Sequence, residues 1–506
     1  MNKQNQHPKT AISPTRSEDY AQWYQQVIVE ASLAENSAVR GCMIIKPWAY
    51  AIWELMQKYL DQKFKQTGHL NAYFPLLIPL SYLQKEASHI DGFAKECAVV
   101  THHRLISNES GELIPDGKLE EPFIIRPTSE MIIGESFAKW VKSYRDLPLL
   151  INQWANVMRW ELRTRMFLRT SEFLWQEGHT AHATSQEAMS HSLMMLDIYT
   201  QFVEEVLAIP VIKGEKPCFE RFPGAINTYT IEVMTQDAKA LQAGTSHFLG
   251  QNFSKASNIE FLDKDSQLKH AWTTSWGVTT RLIGALIMVH SDDNGLVLPP
   301  RIAPQQIILI PIYRNDTEEQ LVMDYCHSLV ENLNNQQFFG DNIRSFIDKR
   351  DIRGGEKKWQ WIKKGVPLIL EIGPRDVANE DLCMITRTTD INTKTQIKRA
   401  EFLDSILTML TKVQNTLFAN AQEYQKQRTI FVNSKEEFDK LINSDYQGFI
   451  KCYAVNDQII DSYIKDFSIT ARCIPFVQTD LDNMLNPDYV ITKKCIFTGQ
   501  TVDKYM

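Results

Sequence analysis

Apolar residues recur at helical spacing in two long stretches of the first 300 residues. Residues 47–66 carry apolar side chains every three or four positions, and residues 184–208 repeat the pattern. The second stretch opens with Thr184 and Glu187, which have the spacing of a helix capping box. Because this spacing places the apolar side chains on one face, we predict an amphipathic helix over each stretch.

Several other segments alternate in the manner of β-strands. They lie at residues 72–78, 149–160, 172–181, 226–235 and 240–249. A further helix is predicted between two of them, over residues 131–144. The strands are unevenly spaced, and helices do not follow each of them in turn. A regular βαβ repeat is therefore disfavoured, and we predict an α+β fold with a mixed, largely antiparallel sheet and peripheral helices.

Three prolines within residues 299–304 interrupt any regular element, so we place a domain boundary there. The first domain would span residues 1–300. Residues 305–411 alternate between strand and helix patterns, which predicts a compact α/β domain. The remaining residues, 412–506, are predicted to form a small α+β domain that opens with a polar helix over residues 414–427.

The charge balance restricts how this chain could bind nucleic acid. With 54 Lys and Arg against 61 Asp and Glu, the formal net charge is -7, which excludes a surface that is basic throughout. RNA binding would need a local patch, and residues 344–364 offer one with eight basic side chains against three acidic ones. Trp359 and Trp361 in that patch could stack on bases, but a solvated basic helix face explains the pattern equally well.

The cysteines and the apolar runs indicate in which cellular compartment the protein is found. The eight cysteines include no Cys-x-x-Cys pair, which disfavours a disulfide framework and a zinc knuckle. No apolar run approaches the roughly 20 residues of a membrane span, and the first residues have no apolar core of a secretion signal. We therefore expect a cytoplasmic protein with no membrane association.

The segment from Phe173 to His179 has an unusual set of side chains for a strand. Phe173, Trp175, Glu177 and His179 would share one face, because side chains alternate along a strand. Two aromatics, a carboxylate and an imidazole suit a pocket for a small ligand with apolar and cationic parts. A sheet surface with a satisfied Glu and His is the alternative. A metal pair of His179 and His182 is disfavoured, because a strand places them on opposite faces.

Arginines occur where two predicted strands meet. Arg159 lies at the end of the first strand, and Arg163, Arg165 and Arg169 follow in the turn before the second, where guanidinium groups could clamp a polyphosphate. Arg281 precedes an apolar helix, whose first N–H groups favour anions. A basic surface hairpin and a structural arginine are the alternatives.

Taken together, these elements resemble the signature motifs of class II aminoacyl-tRNA synthetases. Motif 1 corresponds to residues 68–77, with Pro75 in the place of its dimer-interface proline, motif 2 to residues 159–173, and motif 3 to residues 279–281. Strings typical of the prolyl-tRNA synthetases lie at residues 126–130, 167–170, 175–179 and 240–247. The chain resembles the archaeal and eukaryotic-like type of that family, over residues 15–410 strongly and over the remainder weakly.

The resemblance implies an activity and a reaction. It implies that L-proline reacts with ATP to give prolyl-adenylate and pyrophosphate, and that the prolyl group then passes to the 3′ end of tRNA(Pro). Arg159 would bridge the α-phosphate and the proline carboxylate, Arg281 would bind the γ-phosphate, and Glu161 would lie near the adenine or the acceptor end. These three are the implied catalytic residues.

The binding residues are also implied by the resemblance. The nucleotide would contact Arg159, Arg169, Thr170, Gln242, Thr245, Thr279 and Arg281, with Mg²⁺ close to Gln242. Proline would contact Thr128, Glu130, Arg159, Trp175, Glu177, His179 and His247. Thr128 and Glu130 would accept hydrogen bonds from the secondary ammonium. The alternative is that these two residues cap the following helix, a role that can coexist with the first.

The resemblance also implies which partners this chain binds and which features of the family it lacks. Residues 305–411 would bind the anticodon through Glu371, Arg375, Asp376 and Arg387, and motif 1 would form a homodimer. The interval between residues 179 and 240 is filled by predicted elements, so no editing domain fits there and misactivation of alanine and cysteine is expected. Zinc is expected to be absent, because Thr498 stands where the family has a zinc cysteine.

Two other functions compete with this interpretation. A synthetase-like RNA-binding or regulatory protein without catalysis would be expected to lack Arg159, Glu161 or Arg281, and all three are present. A synthetase specific for threonine or serine is the second alternative, because such enzymes share the fold. A threonyl site needs metal ligands in the pocket, which residues 128–130 do not supply.

Overall fold

The computed structural model describes residues 10–85, 96–432, 434–454, 469–476 and 493–498. Its helices are α1 Tyr20–Glu30, α2 Pro47–Gln66, α3 Leu80–Lys85, α4 Glu130–Trp140, α5 Ser185–Gln201, α6 Asn252–Ala256, α7 Arg281–His290, α8 Asp316–Asn334, α9 Gly354–Lys363, α10 Pro374–Asn379, α11 Arg399–Gln427 and α12 Lys435–Ile442. Within this described part, no helix combines the length and the apolar character that a membrane crossing requires.

The strands divide into a large sheet, a small sheet and short ribbons. Up to residue 279 they are β1 Ala34–Asn36, β2 Met43–Ile45, β3 Leu70–Asn71, β4 Leu77–Pro79, β5 Val99–Ser107, β6 Leu113–Ile125, β7 Leu149–Met158, β8 Glu172–His182, β9 Ile212–Glu215, β10 Asn227–Met234, β11 Ala240–Gly250, β12 Glu260–Leu262, β13 Leu268–His270 and β14 Trp272–Thr279. The later strands are β15 Ile307–Pro311, β16 Gln337–Phe338, β17 Asp341–Asn342, β18 Ser345–Ile347, β19 Leu368–Ile372, β20 Asp381–Thr386, β21 Thr395–Lys398, β22 Thr429–Phe431, β23 Phe449–Ala454, β24 Thr470–Pro475 and β25 Lys493–Thr498.

The large sheet has the order β22-β23-β25-β24-β9-β10-β11-β14-β8-β7-β3. Its central pairs, from β24 to β7, are antiparallel, whereas β3 joins β7 in parallel. Helices α1, α2, α5 and α7 cover one side, where Phe64 of α2 packs on Trp276 of β14 at 4.9 Å between ring centroids. The sheet is mixed and mainly antiparallel, as the sequence predicts.

Most predicted elements of this region are present. Helix α2 has the predicted bounds, and Thr184 and Glu187 form the predicted capping box of α5. Helix α5 ends at Gln201, and a π-helical turn continues it to Val206. Of the strand predicted over residues 72–78, only Leu77 and Ile78 belong to a strand, β4. The earlier part is not a strand, and its Phe74 N–H donates to the Gln153 side chain.

Residues 305–411 contain the predicted α/β unit. The small sheet has the order β18-β15-β19-β20-β21, with β15 parallel to β18 and β19 and the other pairs antiparallel. Ile307, Leu370 and Phe402 belong to its core between the sheet and helices α8 and α11.

The C-terminal region differs from the expectation. The polar helix predicted to open a separate domain at residue 414 is instead the second half of helix α11, which begins in the preceding domain at Arg399. Its Gln414 Nε2 donates to the Glu205 carbonyl at 2.8 Å. Strand β24 pairs with β9 through Ile474 and Glu215, so the C-terminal strands extend the large sheet. A local sequence pattern could not show this pairing, because its partners lie more than two hundred residues apart.

Candidate active site

A cavity of about 630 Å³ opens on the large sheet. The loop between β7 and β8, the strands β8, β11 and β14, the start of α7 and strand β24 all contribute to its wall. It is lined by every residue that the sequence assigns to catalysis, proline or ATP: Thr128, Glu130, Arg159, Glu161, Arg169, Thr170, Trp175, Glu177, His179, Gln242, Thr245, His247, Thr279 and Arg281. The structure thus brings these side chains together, and their individual roles stay predictions.

Strand β8 presents Trp175, Glu177 and His179 on the cavity side, as its alternation predicts. The opposite residues on β14 are Thr279, Gly277 and Ser275. Trp175 Nε1 and Ser275 Oγ are buried and have no hydrogen-bond partner among the described residues. Buried polar groups are usually satisfied, so these two donors indicate where a ligand contacts this wall.

The Glu177 carboxylate is buried and bound on both oxygens. Ser129 Oγ and Gln153 Nε2 donate to its Oε1, at 2.5 and 2.7 Å, and His179 Nε2 lies 3.0 Å from its Oε2. Burial disfavours the imidazolium of His179, but the hydrogen bond to Glu177 and the charges of Glu177 and Glu130 outweigh burial and raise the pKa of His179. Glu177 and His179 therefore form a paired, rigid support for the wall. The sequence analysis missed Gln153, which can be found only from the register of β7 against β8.

Thr128 and Glu130 lie together at the entrance of helix α4. The Thr128 hydroxyl donates to the Glu130 Oε2. The N-cap residue of α4 is Ser129, and its side chain does not cap the helix. The alternative role of Thr128 as a helix cap is therefore wrong, and a hydroxyl and a carboxylate face the cavity side by side.

Arg159 is held in place by one hydrogen bond and by contacts with two aromatic rings. Its Nε donates to the Pro127 carbonyl at 3.0 Å, and its guanidinium carbon lies 5.6 Å from the Phe173 ring centroid and 5.7 Å from that of Trp175. Burial lowers the pKa of Arg159, while the nearby Glu130 and Glu96 carboxylates oppose the shift. An arginine stays charged at neutral pH, so this side chain presents an oriented cation between the Thr128 region and the loop after β7.

Two more arginines face the cavity from the loop and from α7. Arg169 forms an ion pair with Glu161. The Arg281 Nε donates to the Leu168 carbonyl at 3.2 Å, and the backbone N–H of Arg281 donates to the Thr279 hydroxyl at 3.0 Å. Arg159, Arg169 and Arg281 thus line one cavity, whereas Arg163 and Arg165 of the predicted clamp are not among its lining residues. The binding of a polyphosphate stays a prediction.

His247 lies on the other side of the cavity. Its Nδ1 is 3.1 Å from the Thr228 hydroxyl, and its ring packs on Phe222 with centroids 4.6 Å apart. Burial, with a smaller effect of His179, lowers the pKa of His247 to about 3. The imidazole is neutral at pH 7, so it offers hydrogen bonds without adding charge.

A buried ion cluster beneath this side was missed by the sequence analysis. Lys216 Nζ lies 2.8 Å from Glu232 Oε1, and Arg472 Nη2 lies 2.7 Å from Glu232 Oε2. Both cations line the cavity. Arg472 belongs to β24, so the C-terminal region contributes directly to the cavity wall.

Comparisons with known proteins place the chain in a family. Residues 114–290 match the tRNA synthetase class II core domain (G, H, P, S and T), and residues 306–409 match the anticodon binding domain. The Proline--tRNA ligase of Bdellovibrio bacteriovorus is 55% identical over 500 residues, which cover 98% of each chain. The chain belongs to the proline–tRNA ligase family. Its predicted fold class, a class II core with a mixed, largely antiparallel sheet followed by an anticodon-binding domain, is confirmed.

Other members of the proline–tRNA ligase family agree over nearly the whole chain. The Proline--tRNA ligase 2 of Anaeromyxobacter dehalogenans is 52% identical and covers 98% of this chain and 97% of its own. The crystal structure of prolyl-tRNA synthetase from Cryptosporidium parvum complexed with halofuginone and AMPPNP aligns with a TM-score of 0.86 at 36% identity. That alignment covers 97% of this chain and 99% of the other.

The four predicted anticodon residues do not lie together. Glu371 pairs with Lys394, Asp376 accepts a hydrogen bond from the Gly373 N–H at 2.8 Å, and Arg375 is exposed on α10. Arg387 instead is buried and binds Asp292, which lies outside the small sheet. The structure therefore separates Arg387 from the other three.

One of the two tryptophans of the basic patch, Trp361, is not free to stack on bases. Trp361 is buried, its Nε1 donates to Asp348 at 2.8 Å, and its ring packs against Trp48 of α2. Trp359 packs against the same apolar cluster. The interpretation that Trp361 stacks on bases is wrong, because its ring is buried against Trp48 and the surrounding apolar cluster.

Gly178→Ala is expected to destabilise this proline–tRNA ligase. A methyl group at Gly178 would overlap ring carbons of Trp276, which is buried in the hydrophobic core between the sheet and the helices that cover it. Overpacking of this kind costs about 1–3 kcal/mol of unfolding free energy. Gly355→Ala is the matched control, because nothing lies within 4 Å of the added carbon. Urea unfolding of both variants measures the effect, and equal stability would contradict the tight contact between β8 and Trp276.

Proposed function

We propose that this chain activates L-proline with ATP to prolyl-adenylate and pyrophosphate, and transfers the prolyl group to the 3′ end of tRNA(Pro). The observation that carries the proposal is one cavity in which a cationic wall, Arg159, Arg169 and Arg281, meets a hydroxyl and carboxylate pair, Thr128 and Glu130. The first set suits a polyphosphate and the second suits a substrate cation. Residues 1–300 would form the catalytic domain, and residues 305–411 and 412–506 the anticodon-binding and C-terminal domains.

The amino-acid half of the proposed site selects a secondary ammonium. Proline has two N–H bonds to satisfy, and Thr128 and Glu130 provide adjacent acceptors. The Trp175 ring, which lies on the same face of β8 as Glu177 and His179, would give the pyrrolidine an apolar wall, and neutral His247 would close the opposite side. Glu130 also supplies the negative charge that pairs with the ammonium.

The reaction half relies on charge and alignment. An oxygen of the proline carboxylate attacks the α-phosphorus, a P–O bond forms, and the bond to the pyrophosphate oxygen breaks. The carboxylate is already ionised at pH 7, so no general base is required. Arg159 would bridge the carboxylate and the α-phosphate. Arg281 and Thr279 would bind the γ-phosphate, and Arg169, Thr170, Gln242 and Thr245 would complete the nucleotide site.

The surroundings of Gln242 suit a Mg²⁺ ion that is held mainly by substrate phosphates, rather than a metal site built only of protein ligands. Mg²⁺ usually keeps several waters and binds substrate phosphates with one or two protein oxygens. Gln242 lines the cavity, and across the described ranges no three His, Cys, Asp or Glu side chains form a metal-binding group. When bound, Mg²⁺ would neutralise phosphate charge beside Gln242.

We expect the purified protein to contain no stoichiometric zinc. The expectation rests on the sequence around Thr498, where a cysteine of the family's zinc set is replaced. Elemental analysis after dialysis without chelator measures the content. One tightly bound zinc ion per chain would contradict the expectation.

The same proposal includes a second copy of the chain and a transfer RNA. Motif 1 leaves Leu70, Tyr73 and Leu77 exposed by 68%, 71% and 42% beside the edge strand β3, which suits a homodimer contact. Arg375 and Asp376 of helix α10, with Glu371 on the preceding strand β19, would contact the anticodon. The proposal places this activity in the cytoplasm.

Specificity against small amino acids would be limited. Helix α5 and strands β9 and β10 occupy the interval between β8 and β11, and each packs on or pairs within the large sheet. No editing domain lies in that interval. Because one pocket discriminates against small apolar substrates by only a few kcal/mol, alanine and cysteine should be misactivated weakly.

Charging of transfer RNA tests the proposal. Purified protein, radiolabelled proline, ATP, Mg²⁺ and total transfer RNA should yield RNA-bound proline that is lost on mild alkaline hydrolysis. Omission of ATP is the control and should abolish the product. Charging with serine or threonine at the proline rate would contradict the proposed specificity.

A further inference from the structure

A buried arginine joins the small sheet to the loop after helix α7. Arg387 directly follows β20, and its Nη1 and Nη2 donate to the two carboxylate oxygens of Asp292 at 2.7 and 2.5 Å. The Arg387 side chain is 2% exposed. A two-pronged contact of this type fixes orientation as well as distance, because both planar groups must align.

The remaining contacts of Arg387 also lie within the protein. Its Nη2 donates to the Gly295 carbonyl, and its Nε to the Ile362 carbonyl at the end of α9, both at 3.2 Å. Each guanidinium nitrogen therefore donates to a protein group. This arrangement leaves Arg387 unsuited to reading a base, and suited to holding two parts of the chain together.

The backbone around this contact is closely fitted. Leu296 N–H donates to the Lys363 carbonyl at 2.9 Å, and Leu298 N–H to the Gly365 carbonyl at 3.1 Å. Gly295 has φ +125°, and a Cβ there would come within 2.6 Å of Lys363 Cα. A side chain on Gly295 would separate the two segments, so the glycine permits their close approach.

The same loop is attached to the cavity by one helix. Helix α7 begins at Arg281, which lines the cavity, and ends at His290, two residues before Asp292. Trp23 Nε1 also donates to the Asp292 carbonyl at 3.2 Å. Asp292 is thus fixed relative to the cavity, and Arg387 fixes the small sheet relative to Asp292.

We propose that Arg387 is a positioning residue for the charging of transfer RNA, an inference that rests on the proposed function. A transfer RNA that contacts both the cavity and the small sheet gains from the second contact only if the two sites have the right separation. Arg387 and Asp292 maintain that separation. Adenylate formation uses the cavity alone and does not require it.

Arg387→Gln, Asp292→Asn and the double variant test the proposal in two assays. One assay is proline-dependent ATP–pyrophosphate exchange without RNA, and the other is charging of transfer RNA. Each single variant is expected to lower kcat/KM for transfer RNA about tenfold or more, while exchange stays within about twofold of the parent. The double variant should charge transfer RNA no more slowly than the less active single variant, because the two substitutions remove the same contact.

Controls separate this role from the alternatives. Lys398→Gln removes an exposed ion pair with Asp381 in the same domain and should change neither assay. Charging lowered by Arg387→Gln but not by Asp292→Asn would mean that Arg387 reads the RNA directly, and would overturn the proposal. Equal loss of exchange and charging would overturn it too, by indicating general destabilisation.

Two further measurements keep the test decisive. Arg387→Lys retains the positive charge without the two-pronged geometry, and it should show the same selective loss of charging if Arg387→Gln does not fold. Exchange by the parent chain is measured first. A parent without proline-dependent exchange would count against the proposed function itself, whereas an active parent with unaffected charging by both variants would count against Arg387 alone.

Discussion

Arg159→Ala is expected to lower proline-dependent exchange several hundredfold even at saturating proline and ATP. The guanidinium is oriented by the Pro127 carbonyl and by the rings of Phe173 and Trp175. Loss of one preorganised donor to a group that gains charge in the transition state typically costs about 3–4 kcal/mol, or on the order of a few hundredfold in rate. Steady-state exchange on the purified variant measures the loss.

Thr128→Ala provides the contrast to Arg159→Ala. Its hydroxyl would contact the proline ammonium, which does not react. The variant should therefore raise the proline concentration needed for half-maximal exchange and recover much of its rate at high proline. Near-normal turnover of Arg159→Ala at saturation would remove Arg159 from the reaction centre and contradict the placement of motif 2.

Glu232→Ala is expected to give the largest loss of stability. Glu232 is 1% exposed and neutralises both Lys216 and Arg472, which would be left as buried cations without it. Removing one partner of a buried ion pair typically costs about 3–5 kcal/mol of unfolding free energy. Asp116→Asn, which removes an exposed ion pair with Arg104, is the control and should change little.

Unfolding by urea across a range of pH extends this test. Burial raises the pKa of Glu232, but the charges of Arg472 and Lys216 outweigh burial, so the pKa lies below its ordinary value of 4.5. A lowered pKa in the folded state stabilises the fold above that ordinary value, and the stabilisation is lost as pH falls below it. Glu232→Gln should reduce this acid sensitivity. An unchanged pH profile would contradict the ion cluster.

Local patterns predicted the parts of the fold that depend on neighbours in sequence. Helix α2 has its predicted bounds because its apolar stripe is uninterrupted and Pro47 suits the first helical position. The cavity face of β8 follows from alternation alone. The resemblance to the class II motifs then identified arginines that line the cavity, Arg159, Arg169 and Arg281.

Contacts between distant segments could not be predicted in the same way. Arg387 lies in a string that suggests RNA recognition, yet its partner Asp292 comes from another domain. Trp361 is buried against Trp48 for the same reason. Glu232 and Arg472 meet across a β-sheet whose continuity no local pattern reveals.

ATP–pyrophosphate exchange with each of the twenty amino acids, without RNA, tests the central claim most directly. The proposed site predicts that proline supports the fastest exchange, that alanine and cysteine support weak exchange, and that Glu130→Gln selectively weakens the response to proline. Exchange with threonine or serine that equals or exceeds exchange with proline would contradict the assignment of Thr128 and Glu130 to a proline pocket.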